Sequence, residues 1–360
     1  MTDLSYTAVA KRLKGHRVAL VGGAGFIGHN LALELDRIGV EVMVFDNLMF
    51  NSLIENMYDS ERDLVQAELY RGFLLQRFEK MRTAKNITMW NGDARIMTDL
   101  MRAFAEFKPT KVVHLSAIAS AIRARENPGL QFDLQLVTLR NVLELCREQM
   151  DAIDQVMFLS SSTVYGDFEE PTVNENTRPR PKGIYANTKY MGERLLRTYC
   201  HQHGMGVTII RPSALYGERC VSRRVSQIFI ENALAGKPLR LEGGGDGRLD
   251  FTYIKDLVSG MVRGLALHEG NGYSQTFNLT YGNARTIKDL FDIVQELVPG
   301  VESVVTEREV EKPIRGTLST ERAETVLGFK AEWSLEKGYR AYAEWYISEW
   351  EKAKVRAKSL

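Results

Sequence analysis

Residues 18–35 read VALVGGAGFIGHNLALEL, an apolar strand pattern that passes through a glycine-rich turn into a helical pattern. Few arrangements suit this order. Gly22, Gly25 and Gly28 let the backbone turn sharply and approach a ligand closely, and the helix start offers free N–H groups and a positive dipole end to an anion. The next strand pattern ends VFDN, which places Asp46 eighteen positions beyond Gly28. A carboxylate there accepts both hydroxyls of a ribose and repels a 2′-phosphate, so NAD is favoured over NADP.

The rest of the chain repeats the alternation. RVALV (17–21), VEVMVF (40–45), ITMW (87–90), KVVHLS (111–116), QVMFLS (155–160) and GVTIIRP (206–212) read as buried strands, with helical patterns near 26–38, 97–107, 128–148 and 185–203. This predicts an α/β fold: a doubly wound parallel sheet over 1–213, with ligands at the carboxyl ends of the strands. After residue 213 the pattern changes to a helix at 221–236, a Gly-rich turn LEGGGDGRL (241–249) and a final helix near 334–351. Residues 214–360 are therefore expected to form mainly a smaller α/β substrate domain, with returns to the first domain near 251–267 and 275–280.

Residues 47–86 exceed what a crossover needs and read as an insertion. Within it Val65, Leu69, Tyr70, Phe73, Leu74, Phe78 and Met81 recur at helical spacing. Three readings stand: packing against the sheet, a lid over the substrate, or a subunit contact.

With 47 basic against 46 acidic side chains the net charge is +1, so no overall field favours nucleic acid or an anionic membrane. Any anion site must be local. The three cysteines, Cys146, Cys200 and Cys220, fit neither a disulfide framework nor a zinc site, and no His, Cys and carboxylate spacing suggests another metal. The N-terminal MTDLSYTAVAKRLKGH lacks the apolar core of a signal peptide, and no apolar run approaches a membrane span. A soluble cytoplasmic protein is expected.

PKGIYANTKYMGERLL (181–196) sets Tyr185 and Lys189 four apart, on one face of a helix. A phenol is a poor base at neutral pH. A neighbouring ammonium and a cationic nicotinamide both favour its phenolate, which then takes a proton from a sugar hydroxyl as hydride leaves the same carbon.

GGAGFIG, DN after the second strand, VVHLSA, SSSTVYG, YANTK, RPSALYG, LDFTYIKDLV and LGFKAEWSLEKGYRAYAEWY together resemble the extended short-chain dehydrogenase/reductases, in their nucleotide-sugar epimerase/dehydratase branch. The resemblance makes the 1–213 sheet a Rossmann NAD domain and implies tightly held, recycled NAD, a nucleotide-diphosphate (NDP) sugar as substrate, and a homodimer formed through helices near 97–107 and 128–148. It implies catalysis by Ser161, Tyr185 and Lys189, with Tyr165 closing a turn. The implied cofactor residues are Gly22, Gly25, Phe26, Ile27, Gly28, Asp46, Asn47, Asp93, Ala117, Tyr185 and Lys189. Those implied for substrate are Ser161, Ser162, Thr163, Arg219, Arg248 and Arg315, with Arg223 and Arg224 close by.

The chain also departs from that branch. Ala214 stands where relatives carry Asn, Leu249 where they carry an Arg that clamps pyrophosphate, and Gln135 where they carry Asn near a helix start. Relatives that dehydrate sugars carry an Asp–Glu pair where this chain has Ser162 and Thr163. Neither hydroxyl is an effective acid or base at neutral pH, so dehydration is disfavoured. The expected reaction is epimerisation of an NDP-sugar at C4. The alternatives are an NDP-sugar oxidoreductase, a 4,6-dehydratase and a non-catalytic NAD-binding regulator.

Overall fold

The computed structural model describes residues 5–50, 53, 63–118, 121–267, 272–309 and 312–359. A seven-stranded parallel sheet forms the centre, built from β1 (Arg17–Val21), β2 (Glu41–Asp46), β3 (Ile87–Asn91), β4 (Lys111–His114), β5 (Gln155–Leu159), β6 (Val207–Arg211) and β7 (Ser274–Asn278). Their order is β7-β6-β5-β4-β1-β2-β3. The direction of winding reverses between β1 and β4, and the crevice of a doubly wound sheet lies at that reversal.

The expected strands all form, within a residue or two of their predicted ends; β1, β2, β4, β5 and β6 are apolar runs buried on both faces, whereas β3 at the sheet edge is half-exposed. Val18, Leu20, Val42 and Val44 join one apolar cluster, whereas Ala19, Val21, Met43 and Phe45 join the cluster on the opposite side. That alternation is the period of two of a strand between two layers of helices.

Among the described residues the α-helices of ten residues or more are α1 (Phe26–Arg37), α2 (Leu64–Thr83), α3 (Met97–Phe107), α4 (Thr138–Glu148), α5 (Gly183–His203), α6 (Val225–Leu234), α7 (Ile254–Leu265), α8 (Ile287–Leu297) and α9 (Leu335–Ala357). β7 pairs with β6 in the central sheet, from Ser274 opposite Val207 to Asn278 opposite Arg211. Helix α7 packs on α1. The predicted helix over 128–148 forms, with a π-helical turn, Asp133–Val137, between Pro128–Phe132 and α4 that buries Gln135 completely.

The helical pattern of the insertion is α2, whereas residues 51–52 and 54–62 lie outside the described residues. Its apolar face meets chiefly α9 rather than the sheet. Phe73 packs on Trp345 with ring centroids 4.8 Å apart and edge-on to Tyr346 at 5.5 Å. Burying one such ring stabilises the fold by roughly 1.5–3 kcal/mol. The insertion therefore ties the Rossmann half to the C-terminal helix. No described helix is long and apolar enough to cross a membrane.

Candidate active site

A cleft of about 550 Å³ runs along the carboxyl ends of the strands, lined at one end by the glycine turn and Asp46 and at the other by Ser161, Tyr185, Arg224 and Arg315. Gly22 holds φ +81°, and a Cβ there would stand 2.7 Å from the Ser116 nitrogen. A Cβ on Gly28 would meet the Gly23 carbonyl oxygen at 2.3 Å. Only glycine fits either position. Helix α1 starts at Gly25 without a side-chain cap, so its first N–H groups face the cleft beside Phe26 and Ile27.

Asp46 closes this end. Its Oδ2 accepts from the Ala24 N–H at 2.9 Å and its Oδ1 from the Leu48 N–H at 2.8 Å. Burial raises its pKa, and these two donors oppose the rise. A cradle shaped for bare backbone, an uncapped helix start and a carboxylate at the neighbouring strand end suit the pyrophosphate and ribose of a dinucleotide.

At the other end, Tyr185, Lys189 and Glu193 lie on successive turns of α5, facing the end of β5. Lys189 Nζ donates to the Leu159 carbonyl at 2.7 Å and lies 5.9 Å from the centre of the Tyr185 ring. Burial lowers the Lys189 pKa to about 7, against the pull of Glu193. Tyr185 keeps part of its surface open to the cleft. Enclosure of its ring raises its pKa, while the Arg224 charge, the Ser161 hydroxyl and the Arg315 charge act the other way.

Ser161 caps the short 3₁₀ turn Ser162–Tyr165, its Oγ accepting from the Thr163 N–H at 3.2 Å and the Thr163 hydroxyl at 3.0 Å. Ser162 Oγ accepts from Arg315 Nη1 at 2.9 Å. Burial lowers the Arg315 pKa to about 10, and its enclosed Nε has no hydrogen-bond partner. Ser160 donates to Glu193 at 2.6 Å, behind the strand. Tyr165 also points away from the cleft, donating to Asn278 Oδ1 at 2.8 Å.

Three expected site residues do not line the cleft. Asp93 forms a bidentate ion pair with Arg95 and accepts from Asn47 at 3.1 Å, which leaves Asn47 as the cleft residue. Arg248 and Leu249 form a two-residue strand against Arg285–Thr286. Adjacent strand residues face opposite sides. Leu249 thus takes the cleft side, and exposed Arg248 donates to the Ala284 carbonyl at 3.3 Å. Arg219 turns to His29 Nε2 at 3.1 Å and Asn30 Oδ1 at 3.2 Å. Arg223 and Arg224 line the cleft instead.

His114 is a buried strand residue bonded to Thr138 at 2.8 Å, and burial lowers its pKa to about 3. Arg77 is a cleft residue that sequence reasoning missed. Its signal was a cation at the position where the Leu69 and Phe73 stripe of α2 calls for an apolar residue.

Fold and site together define a Rossmann dinucleotide-binding protein with a Ser, Tyr and Lys set at the end of its cleft. A model of the NAD dependent epimerase/dehydratase family matches residues 18–280, and the chain belongs to that family. It is 29% identical over 362 residues to UDP-glucuronate 4-epimerase 1 of Arabidopsis thaliana, an alignment covering 95% of this chain and 79% of that protein. A Thermus thermophilus UDP-glucose 4-epimerase solved with NAD superimposes with TM-score 0.75 at 27% identity, covering 92% of this chain and 99% of that one. A Bacillus cereus UDP-glucuronic acid 4-epimerase solved with UDP-glucuronic acid and NAD gives TM-score 0.80 at 21% identity, with the same coverage.

Proposed function

We propose that the protein interconverts C4 epimers of an NDP-sugar through a 4-keto sugar, using NAD that stays bound. The observation that carries this reading is the set of groups at the end of β5. A phenol, an ammonium and a serine hydroxyl converge there, and the two following positions are hydroxyls, not carboxylates. Bound NAD would supply a hydride acceptor and donor for C4.

Tyr185 takes the proton of the 4-hydroxyl as hydride leaves C4, and gives it back when hydride returns to the other face. Ser161 hydrogen-bonds the same oxygen. Lys189 steadies the phenolate electrostatically, and Arg224 and Arg315 add to that effect. With hydroxyls at Ser162 and Thr163 in place of a carboxylate pair, elimination of water is disfavoured. Gly22, Gly25, Phe26, Ile27, Gly28, Asp46, Asn47 and Ala117 would hold the dinucleotide.

The names of the relatives support a UDP carrier. Arg224 and Arg315, both close enough to bias Tyr185, support a substrate with anionic groups near the reacting carbon. UDP-glucuronate is therefore the first substrate to test, with UDP-glucose beside it. A homodimer through α3 and the 128–148 segment is supported by exposed Met101 and Phe132 on those elements. Three free, buried cysteines support a reducing cytoplasm. The functional test is incubation of the purified protein with each sugar nucleotide, without added cofactor, followed by NMR of the product. Formation of the C4 epimer supports the proposal; net NADH production selects the oxidoreductase instead.

A further inference from the structure

Arg219 and Arg223 lie in the segment that leads into α6, and both hold left-handed backbone conformations, with φ +64° and +45°. Such conformations cost a non-glycine residue on the order of 1–3 kcal/mol and persist only where surrounding contacts over-determine them. At Arg219 those contacts come from the inserted helix α2, and at Arg223 they come from α6 side chains that α2 helps to hold.

At the first residue, Arg77 Nε donates to the Arg219 carbonyl at 3.0 Å, and Nη2 reaches the same oxygen. Arg77 Nη1 also reaches the Ala24 carbonyl of the glycine turn at 3.5 Å. At the second, the Arg223 N–H donates to Gln227 Oε1 at 3.1 Å, and its guanidinium pairs with Glu231 at 3.4 Å. Glu231 is wholly buried in α6. Its Oε1 accepts from the hydroxyls of Tyr70 and Tyr346, the latter at 2.5 Å, and from Gln227 Nε2 at 2.8 Å.

Tyr70 and Arg77 are two turns apart on one face of α2, and Phe73 between them is locked on α9. Between and just after the two pinned residues, Val221, Ser222 and Arg224 line the cleft, as does Arg223 itself.

We propose that Tyr70 and Arg77 are positioning residues, through which the inserted helix holds residues 219–224 in a strained form that presents Arg223 and Arg224 to an anionic substrate. The presenting role rests on the NDP-sugar reading above; the holding role does not. Tyr185 and Lys189 stand on α5, outside the held segment, and Arg224 is the residue of that segment that bears on Tyr185, so the device acts on substrate affinity directly and on turnover through Arg224.

The segment carries its own reporter, since Arg219, Arg223 and Arg224 are trypsin sites. The experiment compares wild type, Tyr70→Phe, Arg77→Lys and the packing control Phe73→Leu, all as purified full-length protein. It reads the rate of tryptic cleavage at these three arginines by mass spectrometry, the melting temperature, and KM and kcat on the UDP-sugar that turns over.

Loss of one hydrogen bond to a charged or strained group predicts cleavage about tenfold faster in Tyr70→Phe and Arg77→Lys, confined to 219–224. KM rises by a similar factor, and kcat falls as Arg224 withdraws from Tyr185. Phe73→Leu lowers the melting temperature without singling out this segment. Wild-type cleavage rates in both polar variants would overturn the holding role, and faster cleavage with unchanged KM would overturn the presenting role. If wild type turns over no UDP-sugar, the functional reading fails, while cleavage alone still decides whether α2 holds the segment.

Discussion

Glu193 accepts from Arg211 Nε at 2.8 Å and Nη2 at 2.6 Å, and both residues are shut off from solvent behind the strand that leads to Ser161. Ser160 donates to the same carboxylate at 2.6 Å. Burial pushes the Glu193 pKa up, yet Arg211 prevails and holds it below the usual carboxylate value. Glu193→Gln leaves the guanidinium without its counter-charge and is expected to cost about 3–5 kcal/mol of stability, read by chemical denaturation at pH 7. Because the folded pKa is lowered, this contribution is complete above the ordinary carboxylate range and is lost as pH falls through the lowered value. A loss under 1 kcal/mol would contradict the role given to the pair.

Lys189 predicts a dependence at the other end of the scale. Its folded pKa of about 7 lies below the usual 10.5, so between these values the unfolded chain binds more protons than the folded one. Stability from this group therefore rises with pH across that window, at up to about 1.4 kcal/mol per pH unit, and is least below pH 7, where burying the ammonium costs most. Lys189→Met should abolish this slope and melt higher than wild type at pH 6, measured on cofactor-stripped protein. Parallel curves for the two proteins would contradict the shift.

At the glycine turn, a methyl group at Gly28 would lie 2.3 Å from the Gly23 carbonyl oxygen, backbone that cannot rotate away. Gly28→Ala should purify with at least about tenfold less bound NAD, assayed after denaturation, because the cradle must open to admit the methyl group. Wild-type NAD content would show that the turn does not hold the cofactor.

Tyr185→Phe removes the proposed acid–base group while keeping the ring. Turnover should fall by about 10²–10⁴-fold, as is typical of a lost general base, with NAD retained. Ser161→Ala should fall less, since it loses a hydrogen bond to the reacting oxygen and not the proton carrier. Equal activity of Tyr185→Phe and wild type would remove this residue from the mechanism.

Much of this was legible in residues 18–35 and 181–196, where fold and chemistry are local. Glycines at a strand–helix junction and a tyrosine four residues before a lysine keep their meaning in any context that buries them. The face that α2 turns to α9 was not legible, because its partner lies over 250 residues away and no periodicity names a partner. The placement of arginines was the least legible. Whether Arg219, Arg223 or Arg224 enters the cleft depends on two left-handed residues that their own side chains disfavour, and Arg248 lost its place to Leu249 through the alternation of a two-residue strand. The π-helical turn at Asp133–Val137 is a packing adjustment without a sequence sign.

The most direct test of the account is NMR-followed turnover of UDP-glucuronate and UDP-glucose in deuterated water by wild-type protein carrying only its own NAD. The account predicts an approach to equilibrium between two C4 epimers, with the original hydrogen kept at C4, no deuterium at C5 and no accumulation of NADH. Deuterium at C5, or a product that retains a keto group, would contradict it.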